Sequence, residues 1–449
     1  MTRTCSLLLL LVTALGSCAP RPAPSPPGGR LNLVLVSIDT MRADRLGRIG
    51  RDGRSLTPAL DVQAARSRVF TRAYSPSNET LFSHAGIFLG ALPSAVGPLD
   101  YRSFRLPPDA PTLAARLSRA GWRTEAVVAS GHLAPVFGLD AGFQSYQVTD
   151  SVFTSFQETM PAALDRLEQL AGGDRPFFLF VHGYDCHSPY VKPGPLHHPE
   201  TPGYDGLLAP LAANPLTWER IYDGAFYPDF QPPDLRAGDV NALDARVFDA
   251  LRRHAAHGGV RRVALSEADR AFVRGVYDGA VAYADTWVGR LFRRIDALGL
   301  AGTTVVAVMS DHGEDLLDHG FVNHRVSLHD ENTHVVFMVA GPGVRPGRVD
   351  DIVSMTALPD ALLALVGAGD GPSLDELAVE VAPSESMLGE VSVRTAAGRA
   401  RAPATALTEA RPASPVEGME LLDDAGDPMA WDDPRADELW RALWEAWGS

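Results

Sequence analysis

The feature that most constrains this chain is a series of short, nearly continuous apolar runs spread along its length. Leu31–Ile38 opens the series, and comparable runs recur at Glu125–Ala129, Phe177–His182, Thr303–Met309 and Val335–Ala340. A run that is apolar at successive positions, not alternate ones, suits a parallel strand covered on both faces. Between the runs lie segments with apolar residues at helical spacing, over Thr112–Ala120, Pro161–Leu170 and Ala268–Leu298. Helices alternating with doubly covered strands predict an α/β sandwich around a mostly parallel sheet. The chain has 449 residues, 45% of them hydrophobic, which is enough to bury a large core.

The two ends read differently. Ser6–Leu15 is apolar but too short to remain as a bilayer span. It follows one arginine and ends in Leu15-Gly16-Ser17-Cys18. That order predicts a secretory signal over residues 1–18. A cysteine directly after small residues resembles a lipobox, which implies acylation at Cys18; the alternative is ordinary cleavage nearby with Cys18 incidental. Residues 19–30 are proline-rich and predict an extended tether. Together these place the chain at a bacterial cell envelope, lipid-anchored and facing the periplasm or the surface. With Cys18 acylated, Cys186 has no partner for an intramolecular disulfide after cleavage. A net charge of −15 argues against nucleic acid as a partner. Residues 193–262, rich in Pro, Gly and Asp, are expected to be an insertion that shapes a cleft. Residues 367–449 are expected to form a small C-terminal subdomain with one helix at Ala436–Trp447.

In parallel sheets, ligand chemistry gathers at the carboxyl ends of strands. The polar residues directly after the apolar runs are Asp39, then Asp185 and His187, then Asp311-His312. Asp39 alone would equally suit the cap of a following helix. Asp311 and His312 can both turn into one site if the backbone bends sharply, which Gly313 permits. Two carboxylates and an imidazole suit Zn²⁺, Mn²⁺ or a similar ion, with positions left for a nucleophile and a substrate.

Several segments, in order, carry a resemblance. Leu33-Val-Leu-Val-Ser-Ile-Asp-Thr-Met-Arg-Ala-Asp44 is similar to the opening strand and metal aspartate of the sulfatase family, in the alkaline phosphatase superfamily. Ser310-Asp-His-Gly-Glu314 with His319-Gly320 is similar to that family's second metal signature. Tyr184-Asp-Cys-His-Ser-Pro-Tyr190 resembles its substrate-side histidine motif, and Val335–Val344 the strand and turn that follow. Shorter matches fall at Thr57-Pro58 with Leu60-Asp61, Ala120–Thr124, Gly138–Phe143, and Tyr283-Ala-Asp285 with Val288-Gly289. The resemblance covers residues 31–366. It implies an alkaline-phosphatase-like α/β/α sandwich with a small truncated C-terminal subdomain, and a divalent metal (Ca, Mn, Zn or Mg) on Asp39, Asp311, His312 and Thr80.

The departure is at the nucleophile. The family's Cys/Ser-x-Pro-x-Arg pattern, whose first residue becomes formylglycine, is matched here by Thr80-Leu-Phe-Ser-His84. All three recognition positions differ, so no formylglycine is expected. Thr80 is then the expected nucleophile, activated by the metal, with Ser83 as the fallback. Typical sulfatases set two lysines around the sulfate, whereas Lys192 is the only lysine here. Anion contacts are therefore assigned to His84, His187 and His324, with Arg42, Lys192 and Arg325 as helpers. Three functions remain open: hydrolysis of sulfate or phosphate esters, phospho- or phosphoglycol transfer to envelope lipids or glycans, and binding by an inactive relative.

Overall fold

The computed structural model describes residues 29–50, 53–188, 190, 203–206, 266–319, 323–325, 327–407, 414 and 418–447. The expected signal with Cys18, most of the tether, Lys192 and nearly all of the 193–262 insertion lie outside the described residues.

Eight strands form one sheet: β1 (Asn32–Ile38), β2 (Arg68–Tyr74), β3 (Arg123–Ser130), β4 (Ser145–Val152), β5 (Phe177–Gly183), β6 (Thr304–Met309), β7 (His334–Ala340) and β8 (Gly347–Ser354). Their order is β4-β3-β5-β1-β6-β7-β2-β8. Every pairing is parallel except those of β7 with β6 and with β2. The apolar runs are buried on both faces because alternate residues enter different layers. Leu33 and Leu35 of β1 join Phe178, Phe180, Val305 and Ala307 beneath α2 (Thr80–Leu89), α3 (Leu113–Arg119) and α6 (Leu358–Val366). Val34 and Val36 join Leu179, Val181, Val306 and Val308 beneath α1 (Pro58–Ala64), α4 (Phe156–Ala171) and α5 (Glu267–Ala297). Each such side chain contributes about 1.5–3 kcal/mol on burial, so the sequence of β1 commits that strand to the centre.

Beyond α6, β9 (Ala382–Glu385), β10 (Glu390–Thr395), β11 (Gly398–Pro403) and β12 (Glu420–Leu422) make a small antiparallel sheet. The amphipathic α7 (Pro434–Trp447) lays Leu439 and Leu443 on its Val391, Val393, Ala400 and Ala402.

Three differences from the sequence-based expectation have physical causes. β7 is antiparallel, not parallel: burial on both faces makes its run apolar whichever way it points. β2, β4 and β8 were not expected, because strands with one exposed or edge-facing side carry arginine, aspartate and serine that hide the apolar pattern. α4 begins at Phe156, before the expected Pro161, because Ser155 and Glu158 form a reciprocal capping box. No helix among the described residues is long and apolar enough to cross a membrane.

Candidate active site

Register places the site. β1 lies between β5 and β6, with Ile38 opposite Gly183 and Ser37 opposite both His182 and Met309. The carboxyl ends of three central strands therefore finish at one level. Asp39 leaves β1 there, and Asp311-His312 leaves β6 one residue after Ser310. Their carboxylates and imidazole bring one ligand atom each within 4.8 Å of one another, all fully buried. Thr80 enters from across the sheet as the first residue of α2. Its Oγ1 donates to Asp39 Oδ2 at 3.2 Å and lies 3.3 Å from His312 Nε2.

The donor set fits a divalent cation. Asp39 Oδ1 and Asp311 Oδ2 are buried without a hydrogen-bond partner, a costly state for a carboxylate unless a positive charge faces it. His312 Nδ1 donates to Gly313 O at 2.9 Å, which turns the Nε2 lone pair to the same point. Burial and the Asp311 carboxylate push the Asp39 pKa well above the usual carboxylate range. Two carboxylates forced together in this way are what a cation relieves. A second His/Glu cluster, His319, His329 and Glu331, contrasts with it. There His319 Nε2 donates to Glu331 Oε2 at 2.9 Å, the two imidazoles stack at 3.5 Å, and Arg399 faces His329. Its groups are engaged with one another and with a cationic side chain.

The expected anion contacts separate into two sets. His187 and His324 lie beside His312. His187 Nδ1 donates to Ser188 O at 2.6 Å, and its ring stacks on Phe153. His324 Nδ1 faces Glu314 Oε1 at 3.3 Å, with its ring 4.2 Å from that of His312 and 5.2 Å from that of His187. Each keeps a buried Nε2 without a hydrogen-bond partner. Burial pushes the His187 pKa down to about 3 and that of His324 well below its ordinary value, so both imidazoles are neutral. Arg325 follows His324 and lies beside Glu79, its Nε 3.5 Å from Glu79 Oε1.

The other set is placed differently from the expectation. His84 lies one helical turn behind Thr80; its Nδ1 donates to Thr80 O at 2.8 Å and its Nε2 accepts from Ser37 Oγ at 3.0 Å. Both ring nitrogens are taken, and Nδ1 also lies 3.5 Å from Asp311 Oδ2, so His84 supports Thr80 from beneath. The Arg42 guanidinium is held by Asp44 at 2.9 Å and Asp318 at 2.5 Å and also donates to Glu314 O, which commits it to those partners. Ser83 Oγ donates to Ser77 O at 2.8 Å, so the fallback nucleophile is turned away from the cation site. Asp185 accepts from Phe156 N at 2.7 Å and serves the start of α4. Gly313 is needed for room, not for a bend: a Cβ there would lie 1.9 Å from Glu331 O.

Sequence reasoning missed His182, whose Nε2 donates to Asp39 Oδ2 at 3.2 Å. Its signal was available, as a histidine closing a phenylalanine-rich buried run. It also missed Glu79, Tyr101 and His132, where Tyr101 donates to Glu79 and stacks on His132. These are distant in sequence and carry no local pattern. Among the described residues, the non-glycine positions with positive φ are Thr40, Phe153, Leu317 and Asn323. Each adjoins Asp39, packs on His187, or lies on the loop between His312 and His324. Backbone strain is thus concentrated around the site, as at many functional centres.

The comparisons agree with this geometry. Residues 31–368 match the family profile described as Sulfatase. An arylsulfatase of Clostridium perfringens is 24% identical over 387 residues, 78% of this chain and 78% of that protein. An N-acetylgalactosamine-6-sulfatase of Rattus norvegicus is 28% identical over 337 residues, 70% of this chain but 55% of that protein. The crystal structure of a phosphonate monoester hydrolase of Agrobacterium radiobacter superposes with a TM-score of 0.64 at 18% identity, covering 93% of this chain and 94% of that one. With Asp39, Asp311 and His312 gathered at the strand ends of an alkaline-phosphatase-like sandwich, and a profile match over most of its length, the chain belongs to the sulfatase family.

Proposed function

We propose that the chain is a metal-dependent hydrolase of sulfate or phosphate esters, with Thr80 as its nucleophile. The observation that carries this is the Thr80 hydroxyl, buried at the start of α2 within 3.3 Å of both Asp39 and His312. A divalent cation held by Asp39, Asp311, His312 and Thr80 would supply Lewis-acid polarisation and lower the pKa of that hydroxyl. The chain does the rest. His182 orients Asp39, and His84 holds the Thr80 carbonyl. Glu314, which burial keeps protonated, donates to His324 Nδ1 and leaves Nε2–H for the departing oxygen. As the Thr80 Oγ1 bond to sulfur or phosphorus forms, the hydroxyl proton passes to Asp39 Oδ2, the bridging ester bond breaks, and the alcohol leaves with the His324 Nε2 proton while the Glu314 proton moves to Nδ1. A water then displaces Thr80, giving one proton to His324 Nε2 as Nδ1 returns its proton to Glu314; Thr80 recovers its proton from Asp39, and sulfate or phosphate departs with the remaining water proton.

A single threonine hydroxyl cannot expel its adduct without an acceptor, so an envelope lipid or glycan hydroxyl could take the place of water. That transferase reading is the alternative. The relatives' sulfated amino-sugar and phosphonate substrates make an anionic ester on a glycan or lipid the substrate class to test. Turnover of aryl sulfate, aryl phosphate monoester and aryl phosphodiester with Mn²⁺ should fall by roughly a thousandfold or more in Thr80→Ala. Activity that survives the substitution removes Thr80 from the mechanism. On this reading Cys18 carries the anchor, and a Cys18→Ser chain still recovered with membranes would rule that out.

A further inference from the structure

The residues leading into Thr80 make contacts that the chemistry above does not use. Asn78 and Glu79 come directly before the threonine, and both are fully buried. The Asn78 amide nitrogen donates to His324 O at 2.7 Å and to Ser327 O at 3.0 Å. Both partners are carbonyls, which can only accept, so the amide is fixed in this orientation. Its Oδ1 is buried without a hydrogen-bond partner. The donors of this side chain are thus spent on the backbone of the loop that carries His324. Glu79 adds a tie to the next residue of that loop, with Arg325 Nε 3.5 Å from its Oε1.

We propose that Asn78 is a positioning residue that sets the distance between the Thr80 nucleophile and the His324 proton donor, by clamping the His324 carbonyl. This rests on the hydrolase reading above and adds a residue to it. The anchored side of the clamp is well fastened. Ser77 Oγ donates to Glu385 O at 2.7 Å, and Ser384 Oγ donates to Ser75 O at 2.6 Å. Ser83 Oγ donates to Ser77 O at 2.8 Å. The segment before Asn78 is therefore tied both to β9 and to α2. On the held side, the His324 N–H donates to Asn323 Oδ1 at 2.7 Å. Asn323 belongs to the same loop, so that bond does not refer His324 to Thr80. Glu314 Oε1, 3.3 Å from the ring's Nδ1, sets the rotation of the imidazole, while the clamped carbonyl sets where the side chain starts. A misplacement of about 1 Å in a reacting group can cost on the order of a hundredfold in rate. Asn78 supplies the reference because it lies on the nucleophile's own segment, and it acts through His324.

The test compares kcat/KM for nitrophenyl and phenyl esters, of whichever class the Mn²⁺-loaded full chain turns over, because the poorer leaving group depends more on the donated proton. Asn78→Asp keeps the size of the side chain but presents oxygens to the carbonyls in place of N–H groups. It should raise the nitrophenyl-to-phenyl ratio by about tenfold or more, with Mn²⁺ content unchanged. His324→Ala should raise the same ratio, and adding Asn78→Asp to it should raise it no further. Asn78→Ala, which leaves room for water at the carbonyls, carries the same comparison if the aspartate variant does not fold. General damage to the fold would slow both esters alike. An unchanged ratio in an active, metal-loaded Asn78 variant would overturn the proposal and leave the hydrolase reading intact, as would a further rise on the His324→Ala background. Absence of Thr80-dependent turnover in wild type would remove both.

Discussion

Asp39 and Asp311 each keep one buried carboxylate oxygen unpaired, and this residue-scale fact makes the strongest case for a cation. The two groups crowd each other until a positive charge arrives, so cation binding and folding stability should be linked. Wild type is expected to gain thermal stability with added Mn²⁺. Asp311→Ala should lose that gain, with metal affinity weakened beyond the roughly 10–100-fold that removal of a supporting residue costs. Thermal midpoints with and without metal, together with metal content after gel filtration, check this. An Asp311→Ala protein that still holds metal would take Asp311 out of the centre. The gathering of Asp39 with Asp311 and His312 was legible because each follows an apolar run. His84 was misread because its role depends on which way the second turn of α2 points, and linear spacing does not carry that.

At the scale of elements, helices are fastened to one another by buried polar groups that no periodicity reveals. Asp285 of α5 accepts from Ala59 N at 3.0 Å and Leu60 N at 2.8 Å, capping the first turn of α1. Burial pushes its pKa up to about 6, against the pull of those two N–H groups. The folded state therefore binds this proton more tightly than the unfolded chain does. Its contribution to stability is present in full below about pH 4 and is lost as pH rises through about 6, on the order of 2–3 kcal/mol. Urea unfolding of the metal-free protein at pH 4.5 and 7.5 should show this loss in wild type and a flatter dependence in Asp285→Asn. Parallel behaviour of the two proteins would refute the assignment. The same limit of pattern reading explains β2, β4 and β8, whose polar residues face solvent or the sheet edge.

Across the whole molecule, the C-terminal sheet reaches back to the loop after His312. Asp330 pairs with Arg399 at 2.9 Å and Arg394 at 3.4 Å, and Glu390 accepts from Leu328 N at 2.6 Å. The turn that holds Asp330 also bonds the loop after His312, through Gly313 N to Asn332 O and Glu314 N to Glu331 O, each 2.8 Å. The small subdomain thus braces the segment that carries His324 and Arg325. Removing one partner of a largely buried ion pair costs up to about 3–5 kcal/mol because the other charge is left behind. Asp330→Ala should accordingly lower the unfolding midpoint and, in the protein that remains folded, reduce turnover more than metal content. Wild-type turnover in that variant would show that the subdomain does not position the loop.

The sequence by itself determined the sandwich, its mostly parallel sheet and the strand ends where Asp39, Asp311 and His312 would emerge. Burial on both faces is written residue by residue into the apolar runs, and the carboxyl end of a strand is a local property of each. Only the tertiary structure decided the direction of β7, the commitment of Arg42 and Ser83 to other partners, the support of Thr80 by His84, and the pairing of Glu79 with Arg325. Those outcomes depend on register between strands and on side-chain partners from 4 to 276 positions away, and contacts of that kind exist only once the chain has closed on itself.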